Sequence, residues 1–183
     1  MTKAIEKTRA VFVEAAEKFA TVAVEAETKL KADNLSAEEL KALKDTASEN
    51  RTHEKYCAIL AKQSDEVIAL LNAQKVDAQA LALSSRELKK RACFMLQALV
   101  SKRAVDDRAF DSLMLRLASK RDASLTIDQI QREMQHKTAT QASYFKTFAE
   151  FFNFATYNKS EKKVSFNYDA FFLSELVSVY SAQ

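Results

Sequence analysis

The fold of the C-terminal half is decided by the order of structural signals in residues 124–168, SLTIDQIQREMQHKTATQASYFKTFAEFFNFATYNKSEKKVSFNY. Thr126–Gln129 is a capping pattern, because the Thr and Gln side chains can each satisfy an unpaired backbone N–H at a helix start. It predicts a short helix that ends near Gln135. A second capping pattern, Thr138–Gln141, predicts a further helix that runs beyond Phe148. Two short helices joined this tightly must cross steeply.

Directly after this helix, the spacing of apolar residues changes from three or four to two. Alternation runs over residues 154–158 and again over 164–168, with the charged segment Lys159–Lys163 between them. Such alternation is typical of half-buried strands. It predicts a β-hairpin with a charged tip. A helical continuation is the alternative, against which the β-branched residues Thr156 and Val164 argue.

Helix, short helix, tight turn, helix and charged hairpin is the order of elements in winged helix-turn-helix domains. Residues 106–168 resemble that superfamily in element order, element length and apolar positions, over about a third of the chain. The resemblance implies that the helix after the turn enters the major groove of DNA and that the hairpin meets the backbone or the minor groove.

Position by position, the resemblance implies two groups of nucleic-acid-binding residues. The recognition helix would contribute Lys137, Thr138, Thr140, Gln141, Ser143, Tyr144 and Lys146. The hairpin would contribute Asn158, Lys159, Lys162 and Lys163. The free N–H groups of a helix start suit a phosphate, and Gln and Thr side chains can bond base edges.

The N-terminal segment carries an apolar stripe with a seven-residue repeat. Its members are Ile5, Phe12, Phe19 and Ala26. The stripe predicts one helix of roughly 30 residues. Two interpretations remain open: a coiled coil in which Ile5, Phe12 and Phe19 form an oligomerisation seam, or an antiparallel bundle of long helices within one chain.

Two more capping boxes mark helices in the N-terminal half. Ser36–Glu39 begins a second helix, which the apolar spacing extends to about Leu71. Ser84–Glu87 begins a third. Polarity peaks near residues 102–107, which predicts a helical region over 1–103 and a winged helix-turn-helix domain with a closing C-terminal helix over 104–183.

The composition supports a mainly α fold. None of the 183 residues is glycine or proline, whereas average usage would supply roughly a dozen glycines and about nine prolines. Without either residue, helices joined by tight polar connections are expected. The formal charge is −2 over residues 1–85 and +5 over 86–183, which is compatible with a C-terminal half that binds a polyanion.

Several functional classes lack support. Glycine-dependent phosphate loops are impossible here, and paired acids fall at predicted helix starts, so we expect neither an enzyme nor a cofactor. The two cysteines, Cys57 and Cys93, and the two histidines, His53 and His136, match no zinc spacing, so no metal is expected. No apolar run approaches the roughly 20 residues of a membrane span, which predicts a cytoplasmic protein without a membrane partner.

Two functional hypotheses follow. The first is a non-enzymatic protein that binds double-stranded DNA, a regulator or a replication or partition factor, linked to itself or to a partner through its N-terminal helices. The alternative is a structural or adaptor protein, such as an assembly scaffold, that self-associates through its long helices and docks on another protein. The low charge of the recognition helix favours the alternative, and the hairpin lysines favour the first.

Overall fold

The computed structural model describes residues 2–32, 34–105, 107–135 and 139–182, which are mainly helical with one small antiparallel sheet. The chain forms two compact units, Met1–Lys90 (unit 1) and Arg91–Gln183 (unit 2). The division falls inside helix α5 (Arg86–Ser101), whereas the sequence predicts a boundary after residue 103. None of the described helices is both long enough and apolar enough to cross a membrane.

Unit 1 is a helical bundle that is organised around its first helix. Its helices before α5 are α1 (Lys3–Lys29), α2 (Ala37–Ala61), α3 (Asp65–Ala73) and α4 (Ala78–Leu83). α1 packs against each of the other three. α1 and α2 run antiparallel, because Arg51 pairs with Glu27 near the end of α1 at 2.8 Å, while Arg9 near its start donates to the carbonyl of Ala61. The predicted long N-terminal helix is confirmed.

The helix starts of unit 1 follow local capping chemistry. The Ser36 hydroxyl accepts the backbone N–H of Glu39 at 3.2 Å, and the Glu39 carboxylate accepts that of Ser36 at 2.9 Å. This capping box is therefore confirmed. The single helix predicted to reach Leu71 is wrong, because Ser64 accepts the backbone N–H of Val67 at 3.4 Å and starts a new helix.

Helix ends form without glycine. Among the described residues, the left-handed region is occupied by Asn34, Lys75, Lys102, Arg121, Gln135, Asn153 and Lys162. At the end of α8 (Thr140–Phe151), Asn153 has φ 57°, and the N–H of Phe154 bonds to the carbonyl of Ala149 at 3.0 Å. This is a Schellman motif, and it turns the chain from helix into strand.

Unit 2 combines the rest of α5 with further helices and a sheet. These elements are α6 (Arg108–Lys120), β1 (Ser124–Thr126), α7 (Ile127–Glu133), α8 (Thr140–Phe151), β2 (Ala155–Asn158), β3 (Lys163–Phe166) and α9 (Phe171–Ser181). The sheet is antiparallel with strand order β1-β3-β2. The predicted hairpin corresponds to β2 and β3. The strand β1 is an addition that the sequence did not predict.

Phenylalanine rings form the core of unit 2. Phe110, Phe145, Phe148 and Phe154 are at most 1% exposed. The ring centroids of Phe148 and Phe154 lie 5.4 Å apart in an edge-to-face arrangement, which ties α8 to the start of the hairpin. The core therefore fixes the position of the hairpin beside α8.

The closing helix α9 confirms the predicted C-terminal helix and packs against α6. The hydroxyl of Tyr180 donates a hydrogen bond to the carboxylate of Asp111 and accepts the backbone N–H of Val105 at 3.5 Å. Burial is the main cause that raises the pKa of both Asp111 and Tyr180. The contact anchors the C-terminus to the helix that precedes β1.

Candidate nucleic-acid interface

Helix α8 has one buried face and one exposed face. Its spacing turns Ala142, Phe145, Phe148 and Ala149 inward, where all four are fully buried. Thr140 and Ser143, both predicted contact residues, are exposed. Thr147 is also exposed and lies one turn beyond Ser143, so the outer face of α8 carries three hydroxyl groups. Thr147 is not among the predicted contact residues, although its distance of four residues from Ser143 places it on the same face.

Two residues that the resemblance assigns to the recognition helix, Lys137 and Thr138, lie outside the described residues, as does His136.

Gln141 and Tyr144 face Arg91 of α5 rather than open solvent. The Arg91 guanidinium donates a hydrogen bond to the side-chain oxygen of Gln141, and its central carbon lies 5.9 Å from the Tyr144 ring centroid. Both α8 residues are half-buried. They consequently help to hold α8 in place.

Lys146 lies where α8 meets the hairpin. Its ammonium nitrogen lies 4.5 Å from the ring centroid of Tyr157 in β2, within the range of a cation–π contact. One turn later, the Glu150 carboxylate accepts the backbone N–H of Tyr157 at 3.2 Å. We refer to Lys146, Glu150 and Tyr157 as the helix–hairpin seam. Sequence reasoning assigned no role to Tyr157.

The hairpin turn is organised by Asn158. Its side-chain oxygen accepts the backbone N–H of Ser160 at 3.0 Å, the Ser160 hydroxyl at 2.7 Å and the backbone N–H of Glu161 at 3.3 Å. This is an Asx-turn. Asn158 therefore shapes the turn, and its side-chain oxygen is already engaged by this chain.

The predicted hairpin lysines are exposed. The chain places Lys159 and Lys162 in the turn, and Lys163 begins β3. The Lys163 ammonium lies 3.6 Å from the Glu161 carboxylate. At this exposure such an ion pair contributes little. The turn and the first residue of β3 therefore present three cations against one anion to solvent.

The outward face of the sheet is polar throughout. The register aligns Thr126, Lys163 and Asn158 in one row and Ser124, Ser165 and Thr156 in the next. Their neighbours Leu125, Val164 and Phe166 are buried on the opposite face. The lysines of the turn thus continue into a surface of hydroxyl and amide groups.

An ion-pair network connects helices α6 and α7 of unit 2. The Arg116 guanidinium bonds to Asp122 at 2.8 Å and to Glu133 at 3.1 Å, joining α6 to α7, and these carboxylates raise the pKa of Arg116. The hydroxyl of Tyr168 donates to the carbonyl of Asp122 at 3.0 Å. Burial raises the pKa of Tyr168 to about 12.

The predicted oligomerisation residues lie inside unit 1. Ile5 is 9% exposed and Phe12 fully buried. Phe19 is half-buried, and its ring stacks on that of His53 with centroids 4.7 Å apart. The stripe is therefore used within a single chain, as in the antiparallel-bundle interpretation.

Comparison of the chain with protein-family models, with curated proteins and with solved structures finds no match.

Proposed function

We propose that unit 2 is a winged helix-turn-helix module that binds double-stranded DNA without catalysing a reaction. In this proposal, the exposed face of α8 enters the major groove and the β2–β3 hairpin lies along the phosphate backbone. The order of helices and strands supports the proposal. So does the pairing of β3 with β1, which joins the hairpin to the helices instead of leaving it as a free arm.

The observation that carries the proposal is the placement of two complementary surfaces side by side. The outer face of α8 offers hydroxyl groups from Thr140 and Ser143, which can bond base edges or phosphates. The Thr147 hydroxyl already donates to the carbonyl of Ser143 at 3.1 Å. The adjacent hairpin exposes Lys159 and Lys162, neither of which forms an ion pair within the described residues. Cations that lack an acidic partner are available to phosphates.

The charges also set the expected strength of binding. α8 has one lysine within its bounds, Lys146, and one carboxylate, Glu150. Most of the electrostatic attraction must therefore come from the hairpin. We expect modest affinity that weakens steeply with salt, because each phosphate contact releases a counterion.

The experiment measures fluorescence anisotropy of a labelled random-sequence duplex at low salt. The test variant is Lys159→Glu/Lys162→Glu/Lys163→Glu. The matched control is Lys29→Glu/Lys31→Glu/Lys41→Glu, which makes the same change of charge at three exposed positions of unit 1. We expect the test variant to abolish binding and the control to retain most of it. Equal losses in both variants, or no binding by the unmodified protein, would sink the proposal.

The second proposal is the scaffold function, in which the chain self-associates through a surface other than the predicted seam of Ile5, Phe12 and Phe19. Because Ile5 and Phe12 are buried within one chain, self-association would have to use other positions. α1 exposes Val13 and Val24 by 41% and 49%, and these valines offer such a surface. Val13→Lys/Val24→Lys should then reduce the mass measured by light scattering, whereas a monomeric unmodified protein would exclude self-association.

A further inference from the structure

The residue Tyr157 is fixed to α8 at two points. Its backbone N–H donates to the Glu150 carboxylate at 3.2 Å, and its ring lies beneath the Lys146 ammonium at 4.5 Å. Tyr157 belongs to β2, a strand at the edge of the sheet. A carboxylate that occupies its outward N–H stops that edge from pairing with another strand. The hairpin is thereby attached to α8 in one register.

The two polar groups at this seam remain available. The Tyr157 hydroxyl has no hydrogen-bond partner, and the Lys146 ammonium no acidic partner, within the described parts of the chain. Both side chains are half-buried rather than enclosed. The aromatic ring restricts the otherwise flexible lysine, so the ammonium loses less freedom when it binds a ligand.

The hydrogen-bond donors of Lys146 and Tyr157 favour a phosphate as the ligand. An ammonium can only donate hydrogen bonds, and a phenol hydroxyl beside it can donate a further one. The oxygen atoms of one phosphate accept from both groups. Recognition of a base edge would more commonly use an amide or a guanidinium, with two polar atoms in one plane.

We infer that Tyr157 is a phosphate-binding and positioning residue of the DNA interface. Its ring holds the Lys146 ammonium between α8 and the hairpin, and its hydroxyl donates to the same DNA phosphate. The inference rests on the proposed function. The sequence predicts a nucleic-acid contact for Tyr144 and none for Tyr157, but the Tyr144 ring lies against Arg91.

Four variants test the inference by anisotropy over a salt series: Tyr157→Phe, Tyr157→Leu, Lys146→Gln and Tyr157→Leu/Lys146→Gln. Tyr157→Phe removes only the hydroxyl and should weaken binding about twofold to threefold. Tyr157→Leu also frees Lys146 and should weaken it about fivefold to tenfold. Neither change removes a charge, so the salt slope stays constant. Lys146→Gln should reduce the magnitude of the slope by about 0.9, the value for one phosphate contact.

The double variant distinguishes positioning from independent contacts. If Tyr157 acts partly through Lys146, Tyr157→Leu/Lys146→Gln binds more tightly than the product of the two single effects predicts. Independent, multiplicative losses would overturn the positioning role. Binding of Tyr157→Phe at the unmodified level would overturn the phosphate contact, and this variant keeps the ring that the fold uses.

A control separates this test from general damage to unit 2. Tyr168→Phe removes a hydroxyl that bonds to the Asp122 carbonyl at 3.0 Å, so it should lower the unfolding midpoint and leave DNA affinity unchanged. If the unmodified protein does not bind the duplex, the proposed function fails together with the inference. If it binds with a steep salt dependence and the Tyr157 variants bind equally well, only the inference fails.

Discussion

The guanidinium of Arg91 in α5 donates a hydrogen bond to the side-chain oxygen of Gln141 in α8. Arg91 is only 5% exposed, and a buried guanidinium requires acceptors. The contact directs the Gln141 amide towards α5. In the proposed complex with DNA, Gln141 would therefore contribute more to the placement of α8 than to base recognition.

Replacing Gln141 by Ala should lower the free energy of unfolding by about 1–3 kcal/mol, because Arg91 loses an acceptor in a buried place. DNA affinity, compared at a temperature where the variant is folded, should change less than about twofold. Thr140→Ala is the opposite case, since it removes an exposed hydroxyl and should weaken DNA binding at unchanged stability. Urea unfolding and anisotropy measure the two effects. An unchanged stability with a large loss of affinity in Gln141→Ala would contradict this assignment.

Glu150 presents a negative charge at the end of the proposed DNA surface. Glu150→Gln keeps an oxygen that accepts the N–H of Tyr157 and removes the charge, so affinity at low salt should rise about twofold to fivefold. The free energy of unfolding should change by less than about 0.5 kcal/mol. Glu25→Gln on the exposed surface of α1 is the control and should leave affinity unchanged. Weaker binding by Glu150→Gln would argue against DNA beside the seam.

A substitution at Phe12 tests whether this residue belongs to the core of one chain or to an interface between chains. It is fully buried within unit 1, so Phe12→Ala should cost about 3–5 kcal/mol of unfolding free energy. Its neighbour Val13 is 41% exposed, and Val13→Ala should cost less than about 0.5 kcal/mol. Urea unfolding at two protein concentrations provides the measurement. A midpoint that rises with concentration in the unmodified protein would show that folding is coupled to association.

We expect His53 to make the stability of unit 1 depend on pH. Its ring stacks on Phe19 of α1, and its Nδ1 atom is buried without a partner in the described part of the chain. Burial is the main cause that lowers the pKa of His53, and the positive charges of Lys89 and Arg86 lower it further. The carboxylate of Glu49, 3.9 Å from Nε2, acts in the opposite direction.

The sign of the effect follows from proton binding. Below about pH 6.5 the unfolded chain protonates this histidine more readily than the folded chain does. The stability it contributes is therefore complete above that pH and is lost as the pH falls through the lower folded-state pKa. The urea midpoint should fall between pH 7.5 and 5 more steeply in the unmodified protein than in His53→Phe. His136→Asn is the control, and identical pH profiles for all three proteins would refute the prediction.

Local signals in the sequence predicted some helix starts and missed others. The start at Ser64 was missed, and the cap predicted at Ser84 is formed by Ser85, whose hydroxyl accepts the backbone N–H of Leu88 at 3.3 Å. The capping boxes at Ser36 and Thr126 form as expected because both partners lie within three residues of each other. The strand β1 was missed for the opposite reason. It has three residues, and its extended form depends on pairing Leu125 with Val164, far away in the chain. A short strand has too few residues for its alternation to be distinctive.

In the candidate site, too, positions that follow from local spacing were predicted, and positions that depend on distant contacts were not. Helical period correctly put Thr140 and Ser143 on an exposed face, because exposure on a helix follows from spacing. Gln141 could not be assigned in this way, since its partner Arg91 is 50 residues earlier. Tyr157 was missed because its importance comes from the packing of β2 on α8. Rules based on neighbouring residues cannot predict contacts between distant segments of the chain.

The most direct test of DNA binding is the salt dependence of affinity in the unmodified protein and in Lys159→Gln/Lys162→Gln. Both lysines are exposed in the hairpin turn, and each phosphate contact contributes about 0.9 to the slope of log affinity against log salt concentration. If both lysines contact phosphates, the unmodified protein has a steep negative slope, and its magnitude falls by about 2 in the variant. A slope that is equal in both proteins, or the absence of binding at low salt, would rule out a phosphate-binding hairpin.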